Sequence, residues 1–168
     1  MVTAALVVGA DGSSVLNNSS TALSTPEDHK EFLARRRQSD CIIIGGKTAQ
    51  RESYGKTPCP LVIVSHQHPA LLEVNPQSHW WNMSPASAVD KAEEIFGQRV
   101  TVEGGADFLT LLLAAGKIDQ LNLTVTPRVG GEKKVVIPEL LAYFSQVEIK
   151  DLGGETILYE CTQPITPN

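Results

Sequence analysis

Residues 41–44 read Cys-Ile-Ile-Ile and run straight into Gly45-Gly46, with no polar side chain to mark an outer face. A strand of this kind must be covered on both sides, which is the position of a central strand in a parallel α/β sheet. Leu61, Val62, Ile63 and Val64 repeat the design and end at Ser65. Residues 3–8 are a third apolar, β-branched run, closed by the turn residues Gly9-Ala10-Asp11-Gly12. Polar segments of helical or loop character separate the runs, 47–60 among them, and strand–helix–strand succession predicts a mostly parallel sheet.

The helices announce themselves by their ends. Thr25-Pro26-Glu27-Asp28 offers a cap, a proline for the first turn and two acids for the positive end of the dipole. Phe32 and Leu33 supply the apolar face, and Arg35, Arg36 and Arg37 read as a solvated, cationic last turn. Ser84-Pro85 opens a second helix with Val89, Ala92, Ile95 and Phe96 at helical spacing, stopped by Gly97. Residues 100–102 read as a strand, Glu103-Gly104-Gly105 as the turn after it, and 106–115 as an apolar helix. Residues 121–126 alternate, a strand with one drier face. Residues 147–152 and 156–161, about Gly153-Gly154, predict a C-terminal antiparallel hairpin. Residues 13–24 read as a loop, and 75–84, with Trp80 and Trp81, show no periodicity.

Composition sets the outer limits. A length of 168 residues, 42% hydrophobic and 20% charged, fits one domain spanning residues 1–168. The formal net charge of −5 argues against a nucleic-acid partner. No apolar run approaches the roughly 20 residues of a membrane span. Cys41, Cys59 and Cys161 form no CxxC pair, Cys41 reads as a buried small hydrophobe, and a cytoplasmic setting is expected.

Two strands end in glycine pairs, Gly45-Gly46 before Lys47-Thr48, and Gly104-Gly105. Glycine there lets backbone N–H groups approach an anion, and the carboxyl ends of parallel strands are where open α/β sheets bind ligands. A phosphate-bearing ligand is the expectation. Gly46-Lys47-Thr48 is no nucleotide P-loop, because the position that motif reserves for its first glycine is Cys41. His66 and His68 lack a third ligand at motif spacing, so no metal is expected. Ser65 and His66 are adjacent, which on a strand turns them to opposite faces, and no hydrolase triad emerges.

The order of these pieces resembles the reductase domain of riboflavin biosynthesis, the C-terminal half of the bifunctional deaminase-reductase, within the dihydrofolate reductase-like fold. Val102-Glu103-Gly104-Gly105-Ala106-Asp107 resembles that family's EGG signature, and Asp40-Cys41-Ile42-Ile43-Ile44-Gly45 with Thr48 its D-A-I-L-V-G-x-x-T segment. Asp11-Gly12 is similar to the D-G that opens its substrate loop. The resemblance implies an NADPH-dependent reductase of a pyrimidine- or pterin-like heterocycle, with the phosphoribosylamino-uracil as first candidate substrate. It assigns Ser24, Gly46, Lys47, Thr48, Ser65, Gly104, Gly105 and Ala106 to the cofactor, Asp11 and Glu103 to the substrate, and Glu52 or Glu103 to orienting it or relaying a proton. A homodimer is also implied. Ser13 replaces the family's substrate-loop lysine, and Glu52-Ser53-Tyr54-Gly55-Lys56 lacks the arginine expected to hold the ribose phosphate. These departures keep a second reading open, a non-catalytic NADP(H)-binding sensor or accessory domain.

Overall fold

The structure, a computed structural model, describes residues 1–165. Along the chain run β1 (Val2–Gly9), β2 (Ser13–Val15), α1 (Pro26–Arg36), β3 (Cys41–Gly45), α2 (Gly46–Arg51), β4 (Leu61–Val64), β5 (Ser78–Trp81) and α3 (Pro85–Phe96). The second half adds β6 (Val100–Val102), α4 (Ala106–Ala114), β7 (Gln120–Thr126), β8 (Glu132–Lys134), α5 (Ile137–Leu141), β9 (Phe144–Gly153) and β10 (Thr156–Pro164). Eight strands form one sheet in the order β5-β4-β3-β6-β1-β7-β10-β9. The first six are parallel, whereas β10 runs antiparallel to β7 and to β9. This is an α/β fold with a mostly parallel central sheet, flanking helices and a C-terminal antiparallel hairpin. Among the described residues no helix is long and apolar enough to cross a membrane.

The period of two along each strand divides the core. Cys41 and Ile43 of β3, with Val62 and Val64 of β4, join the larger cluster, which α3 and α4 cover with Ala88, Val89, Ala92, Leu109 and Leu112. Ile42, Ile44, Leu61 and Ile63 point the other way and pack with Tyr54 and Cys59. Fully buried strands follow, as the uninterrupted apolar runs require. Burial pushes the Cys41 thiol up to about 12, so it stays a protonated, hydrophobic group.

The second face is not sealed along its length. On β1 the alternation that buries Ala4 and Leu6 leaves Ala5 and Val7 half-buried, and their register partners on β7 are Asn122 and Thr124. Those four face an open space beneath α1.

Several local expectations change. Residues 13–15 are not loop: β2 pairs antiparallel with β8, Ser13 opposite Lys134. Residues 75–84, aperiodic in sequence, include β5, which extends the sheet edge in parallel with β4. The arginine run at the end of α1 is not simply solvated. Arg36 turns inward to a buried carboxylate, because the helix phase that brings Phe32 to the sheet brings Arg36, four residues on, with it.

Candidate active site

A cavity of about 480 Å³ lies over the C-terminal ends of β3, β4 and β6 and extends across β1 and β7 beneath α1. That volume lies in the range of small-molecule sites. Of the residues expected at a cofactor, Gly46, Lys47, Thr48, Ser65, Gly104, Gly105 and Ala106 all line it, as do Glu52 and Glu103. Ser24 and Asp11 do not. The Ser24 hydroxyl donates to Asp28 Oδ2 at 2.6 Å. Asp11 accepts from the Ser13 hydroxyl at 2.6 Å, from the Gly130 N–H at 2.9 Å and from Lys134. Lys134 and Ser13 hold that carboxyl far below its ordinary value.

The glycine pairs have separate local causes. A Cβ on Gly46 would stand 2.7 Å from Ser65 Cβ, and one on Gly104 2.5 Å from Phe108 Cδ1. Both are glycine because neighbouring protein leaves no room. Gly105 differs: a Cβ there would meet only Thr48 Oγ1, at 3.9 Å, and would otherwise project into the cavity. Gly105 is the N-cap of α4 and supplies no side-chain cap, while its own N–H donates to Thr48 Oγ1 at 3.2 Å. The first-turn N–H groups of a nine-residue helix therefore begin at the cavity without a capping side chain. Lys47 and Lys133 flank this start, each 3.4 Å from Asp107. Partial burial would raise Asp107, but the two ammonium groups outweigh it and hold the carboxyl below its usual value.

Glu103 is buried, its side chain 3% exposed, and fully engaged. Arg36 donates through Nε at 2.8 and 3.0 Å and through Nη2 at 2.5 Å, and the Tyr54 hydroxyl donates at 2.9 Å. The Arg36 guanidinium lies 4.2 Å from the Phe32 ring centroid and 4.8 Å from that of Tyr54. Burial, then the Glu103 charge, push the Tyr54 phenol well above its ordinary value.

Glu52 ties down the segment after β2. It accepts from the Ser20 N–H at 2.6 Å, the Ser19 hydroxyl at 2.8 Å and the Thr21 hydroxyl at 3.0 Å. Burial would raise this carboxyl, and the Ser20, Ser19 and Thr21 hydrogen bonds outweigh it, leaving Glu52 below its usual value.

Asp28, Phe32 and Arg35 of α1 form the far wall, and Asn122 and Thr124 of β7 part of the floor. The sequence placed none of these at the site, reading Asp28, Phe32 and Arg35 only as parts of a helix. Their signal was present: three positions at i, i+4 and i+7 of a helix, and polar residues alternating along β7. His66 also borders the cavity, its Nδ1 3.0 Å from Asn82 Oδ1. Among the described residues no group of histidine, cysteine and carboxylate side chains has metal-binding geometry.

A family model described as RibD C-terminal domain matches residues 1–158. No curated protein matches the chain. Among solved structures, a pyrimidine reductase-like protein from Corynebacterium diphtheriae superposes with a TM-score of 0.72 at 14% identity, covering 99% of this chain and 92% of that one. A diaminohydroxyphosphoribosylaminopyrimidine deaminase/5-amino-6-(5-phosphoribosylamino)uracil reductase from Thermotoga maritima gives 0.68 at 13% identity, over 98% of this chain. Acinetobacter baumannii RibD gives 0.68 at 14% identity, also over 98%. The chain spans 56% and 57% of those two longer proteins. At such identities the likeness is one of fold.

Proposed function

The chain belongs to the RibD C-terminal domain family, and from that premise we propose that it is an NADPH-dependent reductase of a pyrimidine- or pterin-like heterocycle. The observation that carries this reading is the continuity of one cavity, from the uncapped start of α4 to the polar floor and wall made by β7 and α1. A dinucleotide and a small ring compound need those two environments side by side.

The residues present fit the cofactor. Gly105 leaves room at the helix start, the N-terminal N–H groups of α4 suit a pyrophosphate, and Thr48 adds a hydroxyl. Lys47 and Ser65, on the ends of neighbouring elements, serve its remaining phosphate and adenosine, and Gly46, Gly104 and Ala106 complete the backbone cradle. When bound, the reduced nicotinamide supplies the hydride. The protein's part is to orient the ring, exclude water and hold charge in place. Ala5, Val7, Phe108 and Leu111 give the cavity an apolar lining. Glu52 keeps residues 19–21 closed beside it, and Glu103 fixes Arg36 and Tyr54. Both glutamates thus act through what they hold. Asp11 braces the β2–β8 ribbon, and Ser24 orients Asp28.

The departures at Ser13 and at residues 52–56 favour the second reading, a nucleotide sensor without turnover. Titration of NADPH and NADH against tryptophan fluorescence, followed by NADPH oxidation with 5-amino-6-(5-phosphoribosylamino)uracil and with dihydropterins, separates the two. Turnover is the expected result, and binding without it would favour the sensor. Gly105→Glu, which directs a carboxylate into the cavity, should weaken NADPH binding by at least about tenfold, the loss of one charge-assisted contact. Unchanged affinity would contradict this placement of the pyrophosphate. Gly104 is the wrong position for that test, since any side chain there collides with Phe108.

A further inference from the structure

Lys133 holds a backbone conformation that lysine does not favour. Its φ is +51°, in the left-handed region where Cβ crowds the following carbonyl and glycine is at ease. The strand around it, β8, is locked to β2. The Ser14 hydroxyl donates to the Lys133 carbonyl at 2.7 Å, and the Val135 N–H donates to the Gly12 carbonyl at 2.9 Å. A Cβ on Gly12 would strike the Val135 carbonyl, and one on Gly131 the Val15 carbonyl, so the two backbones pack directly against each other. Strain that the surroundings over-determine points to what the strained residue does.

The Lys133 side chain reaches away from the ribbon to the start of α4. Its ammonium stands 3.4 Å from Asp107 Oδ2, the same oxygen that Lys47 approaches at 3.4 Å. Among the described residues no other carboxylate pairs with either lysine. Asp107 belongs to the first turn of α4, where the helix already favours negative charge. Two ammonium groups and a helix N-terminus thus converge on one carboxylate, which leaves an excess of positive charge beside the cavity. The three side chains come from three elements, Lys47 from α2, Asp107 from α4 and Lys133 from β8. Lys133 ties this point to the ribbon, whose Ser14 and Val15 line the same cavity.

We propose that Lys133 couples the β2–β8 ribbon to the diphosphate of the cofactor, with Asp107 holding the diphosphate's place in the free protein. A diphosphate carries two negative charges against the one of Asp107, and both ammonium groups turn to it. Lys47, anchored in α2, contributes affinity alone. Lys133 contributes affinity and also, through its constrained backbone, fixes the ribbon, so that cofactor binding tightens this side of the cavity. The exchange is one of ion pairs, with no covalent step. This inference rests on the dinucleotide half of the reductase reading.

The test is calorimetric binding of NADPH and NADH to the full chain, with hydrogen exchange of the Val135 amide followed at saturating NADPH. Lys133→Met should weaken both nucleotides alike by about tenfold, the loss of one charge-assisted contact. Asp107→Asn should tighten both by up to about fivefold, the worth of an exposed ion pair. NADPH should slow exchange of the Val135 amide in the wild type and not in Lys133→Met, whereas Lys47→Met should lose affinity and keep the slowing. Lys133→Gly should melt no lower than the wild type while binding NADPH as weakly as Lys133→Met, a split that a merely structural lysine would not give. Unchanged affinity in Lys133→Met, a loss confined to NADPH, or a Val135 response that survives Lys133→Met would overturn the inference. Absence of binding by either nucleotide would remove it together with the reductase reading. NADPH oxidation is read separately. Lys133-dependent binding without turnover removes the reductase reading alone, and turnover with binding indifferent to Lys133 removes this inference alone.

Discussion

Glu103 shows how a residue beside the ligand space can belong to the scaffold. Its carboxylate accepts four hydrogen bonds from Arg36 and Tyr54, with the Arg36 guanidinium between two aromatic rings. Such a pair is strongly destabilising to break from one side, because the remaining charge stays buried. Glu103→Leu should therefore cost about 3–5 kcal/mol, and lower the melting temperature by roughly 6–20 °C in a chain of this size. Combining it with Arg36→Met should recover much of the loss, since two apolar side chains replace two charges. Thermal denaturation of both single variants and the double variant measures the coupling; additive losses would show that the pair does not act as a unit. The sequence made Glu103 visible through the glycines beside it, but gave no sign of its partner 67 residues away. Reading three arginines as a solvated helix end treated them alike, whereas the phase set by Phe32 sorts them, Arg36 to the ion pair and Arg35 to the cavity.

At the scale of elements, the segment between β2 and α1 is closed by a contact that pH can release. Glu52 is ionised below its ordinary value by the Ser19, Ser20 and Thr21 hydrogen bonds, which outweigh its burial. A depressed carboxyl contributes stability that is complete above the unfolded value, 4.5 for this group, and is lost as pH falls through the folded one. Protection of the Ser20 amide against hydrogen exchange, corrected for the intrinsic rate, should hold from neutral pH down to the unfolded value of 4.5 and decline as the solution is acidified further below it. In Glu52→Ala the amide should already exchange faster at neutral pH, with no acid transition of its own. A wild-type amide unaffected by acid would show that the strap is held by something other than this carboxylate. What was legible here follows contact range. The ends of β3 and β6, the glycine pairs and the Thr25 cap are written in adjacent residues, and the structure has each where the sequence put it, whereas β9 and β10 run beyond 147–152 and 156–161. The Glu52 strap and the β2–β8 ribbon join segments 32 and more than 100 residues apart, with no periodicity to betray them.

The whole molecule has a sheet with unequal ends. β5 closes one edge with four residues, while β9 presents ten along the other, seven of them consecutively exposed. A long unpaired edge is a template for another strand unless charge, proline or a bulge blunts it. On β9 the charges Glu148 and Lys150 alternate onto the face opposite Val147 and Ile149, which are 40% and 62% exposed. Val147 is in register with Cys161, whose side chain belongs to the larger core, so the exposed pair continues that core's surface out to the rim. We propose that a second copy of the chain covers it, the homodimer implied by the resemblance, with β9 pairing to its counterpart about a two-fold axis, an arrangement that uses the same patch on both protomers. Light scattering coupled to gel filtration should find a dimer for the wild type and a monomer for Ile149→Lys, which places a charge in the apolar half of the interface. The cavity lies over β1, β3 and β7, away from this edge, so the monomeric variant should still bind NADPH. A wild type that is monomeric throughout the micromolar range would remove the dimer, and a dimer that survives Ile149→Lys would move the interface elsewhere on the surface.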